Sequence, residues 1–485
     1  MAKTEETERE AYLRNMNDFF SEDKKIGEEI QFISGQDIIT ITRTQEFEDA
    51  IELLENTNKS VFITGKAGTG KSTLLKYFRS KSRKQSAVLS FTGLAAINVG
   101  GETIHSFFRF PMGFMDKRTI NANTKISHIL HGINTLVLDE VSMIRADLMD
   151  CINVSLQKNK ENALPFGGVQ MIFIGDLHQL PPIVEKELQP TYARFYKTPF
   201  FFSADVFKEH KIVKIDLQKI HRQTEPVFVE ILNNIREKNY VSASVKMLNR
   251  NVVDKSFVSQ LMTSNFVVLC TTNDKAKTIN DYFMSKLTTP IQRYSANVRG
   301  DFDPASYPTE EVLALREGCK VIFVKNDTGF KTFVNGDIGI VKRLTDQSIL
   351  VELKGKMVDV ERAKWEKYKY EIKYIDITNE DGLPAKKRIV TKTAVGSFEQ
   401  YPLRLAWAVT VHKSQGQTYD NVLIDFGTGC FTSGQAYVAL SRCKTWAGLK
   451  LRNKMKDEDV ILDNRIYELN TIIENESKDI SIVSE

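Results

Sequence analysis

A run of eight residues, 65–72, limits the possible folds of this chain more than any other feature. Its sequence, Gly-Lys-Ala-Gly-Thr-Gly-Lys-Ser, fits the pattern G-x-x-x-x-G-K-[ST], in which backbone N–H groups and a helix N-terminus surround a phosphate. An apolar run precedes it at residues 61–63, and a helical pattern follows at residues 73–78. The context predicts a strand, a phosphate-binding loop and a helix, with Lys71 at the β- and γ-phosphates and Ser72 on Mg²⁺.

The remainder of the chain predicts two α/β units. Short apolar runs alternate with helical patterns, and they lie at residues 87–91, 135–138, 169–174, 266–270, 405–409 and 422–424. Such alternation is typical of parallel sheets with helices on both faces. The first three runs follow the phosphate loop, and the last three form a later set.

Residues 311–395 differ from both sets. Short β-type runs at residues 320–324, 338–341, 348–353 and 357–360 are separated by turn signals such as Asn335-Gly336-Asp337. This pattern predicts a small antiparallel barrel inserted into the second α/β unit. Its last part, residues 361–395, interleaves basic and aromatic side chains. That mixture fits either a surface for a nucleic acid strand or the core and rim of a small β domain.

Composition excludes several classes of protein. The chain is 42% apolar and 26% charged, as expected of a globular protein, and no run approaches about 18 uncharged apolar residues, so we expect no membrane span. Five scattered cysteines without Cys-x-x-Cys spacing suit a reducing compartment. The N-terminus lacks the apolar segment of a signal peptide. We therefore expect a cytoplasmic, intracellular protein.

Charge is distributed unevenly along the chain. Residues 1–40 and 453–485 each carry a net charge of −5, whereas 57 basic and 43 acidic residues lie between them. We expect an acidic leader at 1–40 and an acidic tail at 453–485. The basic middle fits either a polyanionic partner or a mixed solvated surface.

Two further apolar runs end in polar residues that complete a nucleotide site. Asp139 and Glu140 follow residues 135–138, at the end of a strand where α/β sheets bind ligands. In this position Asp139 would hold Mg²⁺ and Glu140 would polarise the attacking water. Gln179 follows residues 169–174 and is the best candidate to sense the γ-phosphate, with loop stabilisation as the alternative.

An ordered series of motifs resembles the superfamily 1B DNA helicases, most closely the Pif family, with the Rec-D-like helicases as cousins. Gln45 resembles the family's adenine-reading glutamine. The segment from Asp147 to Gly168, which ends in Pro-Phe-Gly-Gly, is similar to the signature that marks the Pif branch. The remaining motif-like runs lie at residues 91–96, 103–107, 139–143, 175–182, 221–223, 407–418 and 437–442. The resemblance covers roughly residues 40–450.

The resemblance implies an α/β fold of two tandem RecA-like P-loop parallel-sheet domains with a small inserted SH3-like β-barrel. The expected boundaries are 41–210 for the first domain, with a wedge excursion near 107–125, then 211–310 with 396–452 for the second, and 311–395 for the insert. The wedge segment contains several phenylalanines, for which plain core packing is the alternative.

The resemblance also assigns residues to roles. Nucleotide binding is expected from Gln45, Gly65, Ala67, Gly68, Thr69, Gly70, Lys71, Ser72, Thr73 and Gly416. Mg²⁺ is expected on Ser72 and Asp139. Catalysis is expected from Lys71, Glu140, Gln179, Arg222 and Arg442. DNA contacts are expected from Thr92, Gly93, Thr103, His105, Ser106, His178, His412, Lys413 and Ser414.

Arg222 and Arg442 both lie in the second α/β unit, far in sequence from Lys71. A guanidinium offered across the cleft would neutralise charge on the γ-phosphate in the transition state, as an arginine finger does. The alternative for each arginine is a salt bridge within its own domain.

The activity that the resemblance implies is ATP- and Mg²⁺-dependent translocation, 5′→3′, along single-stranded DNA with unwinding of forked duplexes. Relatives also unwind G-quadruplexes and DNA–RNA hybrids in genome maintenance. We expect a monomer in solution, nucleoid-associated in a bacterium and nuclear or mitochondrial in a eukaryote. The alternative is a P-loop ATPase that acts as a DNA-dependent switch or a protein remodeller without unwinding.

Overall fold

The computed structural model describes residues 29–34, 37–254, 256–262, 264–327, 332–378 and 384–474. A six-stranded parallel sheet forms the centre of the first unit. In spatial order its strands are Glu102–Thr103, Ser86–Ser90, Thr135–Asp139, Gln170–Ile174, Val61–Gly65 and Val213–Leu217. Side chains alternate between two apolar clusters, so that Phe62 lies in one while Val61 and Ile63 lie in the other.

Helices cover both faces of this first sheet. They are Gln45–Asn56, Lys71–Lys81, Gly93–Asn98, Ile104–Phe108, Thr124–Gly132, Ala146–Lys160 and Gln189–Tyr192. Burial of both faces explains why the four central strands read as nearly continuous apolar runs. The edge strand Val213–Leu217 pairs with Val61–Gly65, so the first unit extends beyond the expected boundary at residue 210.

Part of the expected leader belongs to the first unit. Glu29–Ser34 and Asp37–Thr42 pair as an antiparallel hairpin. Phe32 packs edge-on against Tyr77, with ring centroids 5.2 Å apart. Residues 29–34 and 37–40 of the expected acidic leader are therefore packed structure, while residues 1–28 and 35–36 lie outside the described residues.

A second parallel sheet confirms the second α/β unit. Its strands in spatial order are Ala408–Thr410, Val267–Cys270, Val422–Asp425 and Leu449–Leu451. The helices of this unit are Pro226–Glu237, Val241–Leu248, Phe257–Gln260, Asn273–Lys286 and Gln435–Leu440. Its core is a separate cluster that includes Leu269, Ile424 and Val438.

The insert is antiparallel, as the sequence predicts. One sheet contains, in spatial order, Lys356–Val360, Ile349–Leu353, Ile338–Leu344, Lys320–Phe323 and Leu403–Leu405. A long hairpin pairs Ala363–Thr378 with Pro384–Gln400, and Asn297–Gly300 adds a third strand to it. A further pair joins Gln292–Ser295 to Val312–Leu315. The insert therefore continues past residue 395, and residues 379–383 lie outside the described part.

The long hairpin packs on the first unit. Tyr370 is buried, and its hydroxyl accepts a hydrogen bond of 2.7 Å from the Val88 backbone N–H. The Val390 backbone N–H donates to the Gln85 side chain at 2.6 Å. Trp365 is also buried, against Phe398. The core-and-rim interpretation thus holds for these two aromatic side chains.

The expected acidic tail returns to the first unit. Short 3₁₀ turns at Asp457–Asp459 and Asn464–Thr471 carry the chain back from the second sheet. Ile212 donates to the Ile472 carbonyl at 3.0 Å, and Glu474 donates to the Ile212 carbonyl at 3.0 Å. Residues up to 474 are therefore packed structure, and residues 475–485 lie outside the described part. Among the described helices, none has the length and apolar character needed to cross a membrane.

Candidate nucleotide and nucleic-acid site

The phosphate loop lies where the sequence predicts it, between the strand Val61–Gly65 and the helix Lys71–Lys81. Gly68 has a φ of +85°, and a Cβ added there would lie 2.5 Å from the Arg222 Cβ. A side chain at this position would therefore be strained and would collide with the second unit. The loop glycines allow the backbone to turn tightly enough to present its N–H groups to a phosphate.

The Lys71 ammonium rests over the loop. Its Nζ donates to the Gly65 carbonyl at 2.7 Å and to the Lys66 carbonyl at 3.1 Å. Burial lowers its pKa, and the carboxylates of Asp176 and Glu140 oppose that shift. The ammonium is therefore held inside the loop, at the position where the phosphate chain of a nucleotide would lie.

The other loop residues occupy defined places around this ammonium. Ala67 is buried, and the Thr69 hydroxyl donates to the Lys66 carbonyl at 3.0 Å. Gly70 has a φ of +89° and precedes the helix. Ser72 is exposed and Thr73 is half-buried at the first turn of that helix.

Asp139 and Glu140 meet the loop at the end of the strand Thr135–Asp139. Glu140 has a φ of +52°, a left-handed conformation that is strained for a residue with a side chain and that clusters at functional sites. Burial raises the pKa of both carboxyls, and the Lys71 ammonium opposes the shift of each. Ser72 and Asp139 border the same cavity, and their oxygens are the hard donors that suit Mg²⁺.

A hydrogen-bond network crosses from this carboxylate pair to the second unit. Gln415 Nε2 donates to Glu140 Oε2 at 3.1 Å and lies 3.5 Å from Gln179 Oε1. Gln179 is buried and its own Nε2 lies 3.5 Å from Asp176 Oδ2. The predicted base and the predicted γ-phosphate sensor are therefore joined through one side chain of the second unit.

A buried ion pair also joins the units. Arg236 Nη2 lies 2.9 Å from Asp176 Oδ1, and the Asp176 side chain is fully buried. Burial acts to raise the Asp176 pKa, but the Arg236 guanidinium, His178 and the Lys71 ammonium hold it well below its usual value. In addition, the Tyr437 hydroxyl accepts a hydrogen bond of 2.8 Å from the Ala67 backbone N–H in the loop.

Both predicted arginines lie on the second unit's side of the loop. The His221 backbone donates to the Gly68 carbonyl at 2.9 Å, which places the adjacent Arg222 against the loop. Burial, with the nearby Arg442 guanidinium, lowers the Arg222 pKa to about 9. The two positive charges oppose one another, so a bound anion would stabilise both.

Arg442 is itself buried, 2% exposed. Its guanidinium donates to the Val438 carbonyl at 2.9 Å, to the Gln417 carbonyl at 3.2 Å and to the Ser441 hydroxyl at 2.9 Å. These partners belong to its own unit but are neutral oxygens rather than a carboxylate. The positive charge therefore stays available to the cleft, where it acts to lower the pKa of Glu140.

One cavity of about 1600 Å³ connects the nucleotide residues to predicted strand residues. Ser72, Asp139 and Glu140 line one part of it. The lining also contains Thr92, His412, Lys413, Gly416, Trp365 and Lys392. The cavity is therefore bordered by the first unit, the second unit and the long hairpin of the insert together.

Comparison with known proteins identifies the family. A family model described as PIF1-like helicase matches residues 40–246, and one described as UvrD-like helicase C-terminal domain matches residues 405–449. The structure of unliganded Pif1 from Bacteroides sp is 35% identical, with a TM-score of 0.79, and the match covers 90% of this chain and 98% of that one. The chain belongs to the Pif1-like helicases.

Two further relatives place this Pif1-like chain in context. The human protein named ATP-dependent DNA helicase PIF1 is 30% identical over 423 residues, 84% of this chain. The match spans 61% of the human protein's own length. Bacteroides Pif1 in complex with ADP-AlF3 and single-stranded DNA is 35% identical and has a TM-score of 0.60, with 88% of this chain and 96% of that one covered. By TM-score, the structure of this chain is therefore more similar to unliganded Pif1 than to this complex with nucleotide and DNA.

Several residues predicted to bind DNA in this Pif1-like chain have structural tasks. The Thr92 hydroxyl caps the helix Gly93–Asn98, and the Thr103 hydroxyl caps Ile104–Phe108. The Ser106 hydroxyl donates to Glu102 Oε1 at 2.6 Å. Of these hydroxyl-bearing residues, only Thr92 borders the cavity.

The other residues predicted to bind DNA also include some that do not line the cavity. Ser414 is fully buried and its hydroxyl donates to the Val411 carbonyl at 2.7 Å, so its contact with DNA stays a prediction that its buried side chain does not favour. His178 lies 3.4 Å from Asp176 and is part of the interdomain network. His105 packs 6.0 Å from the Phe91 ring, and Gly93 lies against Ser306. These three residues do not line the cavity.

Gln45 and the expected wedge segment near residues 107–125 were also singled out by the sequence. Gln45 is an exposed first residue of its helix and donates to Asp49 at 2.6 Å, and its contact with an adenine stays a prediction. In the expected wedge segment, Phe107 and Phe108 are buried in the core of the first unit, which supports packing for these two. Met112, in the same segment, is 79% exposed.

Three residues of the site were missed by the sequence interpretation. Gln415 and Tyr437 stand within the motif-like runs 407–418 and 437–442, and that position was the available signal. Arg236 lies in the last turn of an amphipathic helix, where a basic residue is ordinary. Its role is visible only in the folded structure.

Proposed function

We propose that this Pif1-like chain is an ATP- and Mg²⁺-dependent DNA helicase that moves 5′→3′ along single-stranded DNA. The observation that carries the proposal is the cavity of about 1600 Å³ that joins Glu140 to His412 and Lys413. The predicted phosphate-binding residues and the predicted DNA-binding residues line one cavity between two units. A movement of the units that alters one of these sites would therefore alter the other. Coupling of this kind is what a motor needs and a simple ATPase does not.

The nucleotide chemistry follows from the side chains of the first unit. The loop N–H groups and Lys71 would hold the β- and γ-phosphates, and Ser72 and Asp139 would hold Mg²⁺. The ion would neutralise charge on the phosphate oxygens and orient them. Glu140 would accept the proton of the attacking water, with Gln179 beside it as the phosphate sensor.

The second unit supplies the positive charge that completes this site. Arg222 lies against the loop, and Arg442 is held near Glu140 by neutral partners. A guanidinium that meets the γ-phosphate stabilises the charge of the transition state. Hydrolysis would therefore depend on how closely the two units approach each other.

The strand residues favour binding that ignores base sequence. Thr92, His412 and Lys413 offer hydroxyl, imidazole and ammonium donors, which suit phosphate oxygens. On the insert's side of the cavity, the half-buried Tyr368 adds an aromatic surface and Lys392 adds a further cation. A track of this composition suits any single strand and the single-stranded arm of a fork.

The finer parts of the proposal rest on the family resemblance. They are the 5′→3′ direction, action on G-quadruplexes and DNA–RNA hybrids, work as a monomer and a role in genome maintenance. The alternative is a P-loop ATPase that acts as a DNA-dependent switch, or that remodels a protein, without unwinding DNA. Tandem α/β units, with both arginines in the same chain as the phosphate loop, favour the motor over the remodeller.

Unwinding of tailed duplexes tests the proposal. We expect strand displacement from a fork or duplex that has a 5′ single-stranded tail, and little from one that has only a 3′ tail. We also expect oligo-dT to stimulate ATP turnover. Stimulated turnover without any displacement would favour the switch, and displacement only from the 3′-tailed duplex would contradict the direction.

A further inference from the structure

One turn of the second unit connects the predicted strand track to the predicted general base. His412 and Lys413 are predicted to contact the DNA strand, and Gln415 lies two residues after Lys413. Its Nε2 donates to Glu140 Oε2 at 3.1 Å, across the cleft between the two units. The same short segment therefore faces the strand end of the cavity and holds a carboxylate at the nucleotide end.

The turn is stiff enough to move as one piece. The Ser414 N–H donates to the Thr410 carbonyl and the Gln417 N–H donates to the Ser414 carbonyl, each at 3.0 Å. The buried Ser414 hydroxyl closes the turn onto Val411 at 2.7 Å. Gly416 permits the reversal with a φ of +78°. A displacement of the strand-facing side chains is therefore transmitted to Gln415.

Arg442 is tied to the same turn. Its Nη1 lies 3.2 Å from the Gln417 carbonyl and 3.5 Å from the Ser414 carbonyl. The predicted general base and the predicted arginine finger are thus both in contact with one segment of about eight residues, counted from the turn's hydrogen bonds. Motion of this turn changes both ends of the catalytic apparatus together.

The contact restrains the base in a specific way. A general base needs a free lone pair aimed at the attacking water. An amide N–H bound to that carboxylate occupies one oxygen and fixes the orientation of the group. In this structure, Oε2 of Glu140 accepts a hydrogen bond from Gln415.

We infer that Gln415 is a positioning residue that restrains Glu140, and that a DNA phosphate bound at His412 and Lys413 shifts the turn and frees the carboxylate. The inference rests on the proposed function, because it assumes that the strand occupies this part of the cavity. It explains how strand binding would accelerate hydrolysis without any DNA contact to the nucleotide.

The test compares ATP turnover with and without oligo-dT for the wild type, Gln415→Ala and Gln415→Asn. Alanine removes the amide, and asparagine keeps it but is one methylene too short to reach Glu140. We expect DNA-independent kcat to rise about tenfold to a hundredfold in both variants, the range set by loss of a hydrogen bond to a charged group, with KM for ATP little changed. DNA-stimulated kcat should stay near the wild-type value.

Gln292→Ala is the matched control. Gln292 also donates its amide to a carboxylate, Asp346, at 2.7 Å, but this exposed pair lies in the insert. Its DNA-independent turnover should equal that of the wild type. Melting temperature and affinity for oligo-dT, measured on the same preparations, show whether each variant is folded and still binds the strand.

The outcomes separate this inference from the proposed function. A wild type that unwinds DNA, with Gln415 variants whose DNA-independent turnover is unchanged, would overturn the inference alone. A fall in both DNA-independent and stimulated turnover would also overturn it, because Gln415 would then support the active orientation of Glu140. A wild type that neither binds nor responds to DNA would overturn the proposed function and the inference with it.

Discussion

Replacing Glu140 by glutamine should leave ATP binding nearly intact and reduce hydrolysis by about 10²–10⁴-fold, the range typical of the loss of a general base. The amide preserves the shape of the side chain at its strained, left-handed position. It has no carboxylate oxygen to take a proton from water. The substitution also removes a negative charge from beside the Lys71 ammonium. The loss of attraction should be modest, because the carboxyl groups of Asp139 and Asp176 remain near this ammonium.

Equilibrium ATP affinity and single-turnover hydrolysis, measured on one preparation, decide whether Glu140 has this role. Glu209→Gln is a suitable control, because it makes the same chemical change at an exposed position. Equal losses in affinity and in rate would show that Glu140 supports the site as a whole rather than acting as its base.

Replacing Arg442 by alanine should remove the DNA-stimulated part of ATP turnover by about 10³-fold or more, as expected for an arginine finger. Without the guanidinium, charge that develops on the γ-phosphate in the transition state has no partner on the second unit's side. Arg442→Lys should not restore the rate, because a point ammonium lacks the planar fork that spans two oxygens. Affinity for single-stranded DNA should be retained in both variants.

The structure adds a stability cost to this prediction. From the sequence alone one expects Arg442→Ala to fold as the wild type does, but its buried guanidinium donates to the Val438 carbonyl and to the partly buried Gln417 carbonyl. The Val438 carbonyl would keep the Ser441 hydroxyl as a donor, whereas the Gln417 carbonyl would lose the guanidinium. An acceptor left unpaired away from water costs about 1–3 kcal/mol, so the melting temperature should fall as well. Turnover must therefore be expressed per folded molecule, and a destabilised variant with normal turnover would falsify the finger assignment.

The parts of the site that could be predicted from the sequence are those encoded locally. Residues 65–72 specify a turn by their glycines and lie between a strand and a helix that their own patterns indicate. Asp139 and Glu140 follow an apolar run, and parallel strands end at the same edge of a sheet, so both carboxylates had to lie near the loop. The phosphate, metal and base positions were accessible for this reason.

The contacts between the units could not be predicted in the same way. Gln415 and Glu140 are 275 residues apart, and Arg236 pairs with Asp176 over 60 residues. No local pattern records which polar side chain of one unit will face the other, because that depends on how the two sheets are oriented. The return of Asn464–Thr471 to the first unit escaped prediction because its few apolar residues lie in an acidic segment.

The burial of Ser414 could not be predicted from its motif for a related reason. A serine beside a histidine and a lysine suggests a third donor to the strand, but a serine hydroxyl also closes turns by donating to a nearby carbonyl. In this chain the second use prevails, because Ser414 is fully buried. Motif position indicated the segment, and only the fold showed which of its side chains face the cavity.

ATP turnover with oligo-dT, measured on an equimolar mixture of Lys71→Ala and Arg442→Ala, shows whether the nucleotide site is built within one chain. We propose that one chain supplies both sides of this site, with Lys71 from its first unit and Arg442 from its second. Each variant then lacks half of every site it can form, and the mixture should be no more active than the mean of the two variants alone. Recovery of DNA-stimulated turnover on mixing would show that the arginine acts on a neighbouring chain, as in ring-forming ATPases, and would contradict the account.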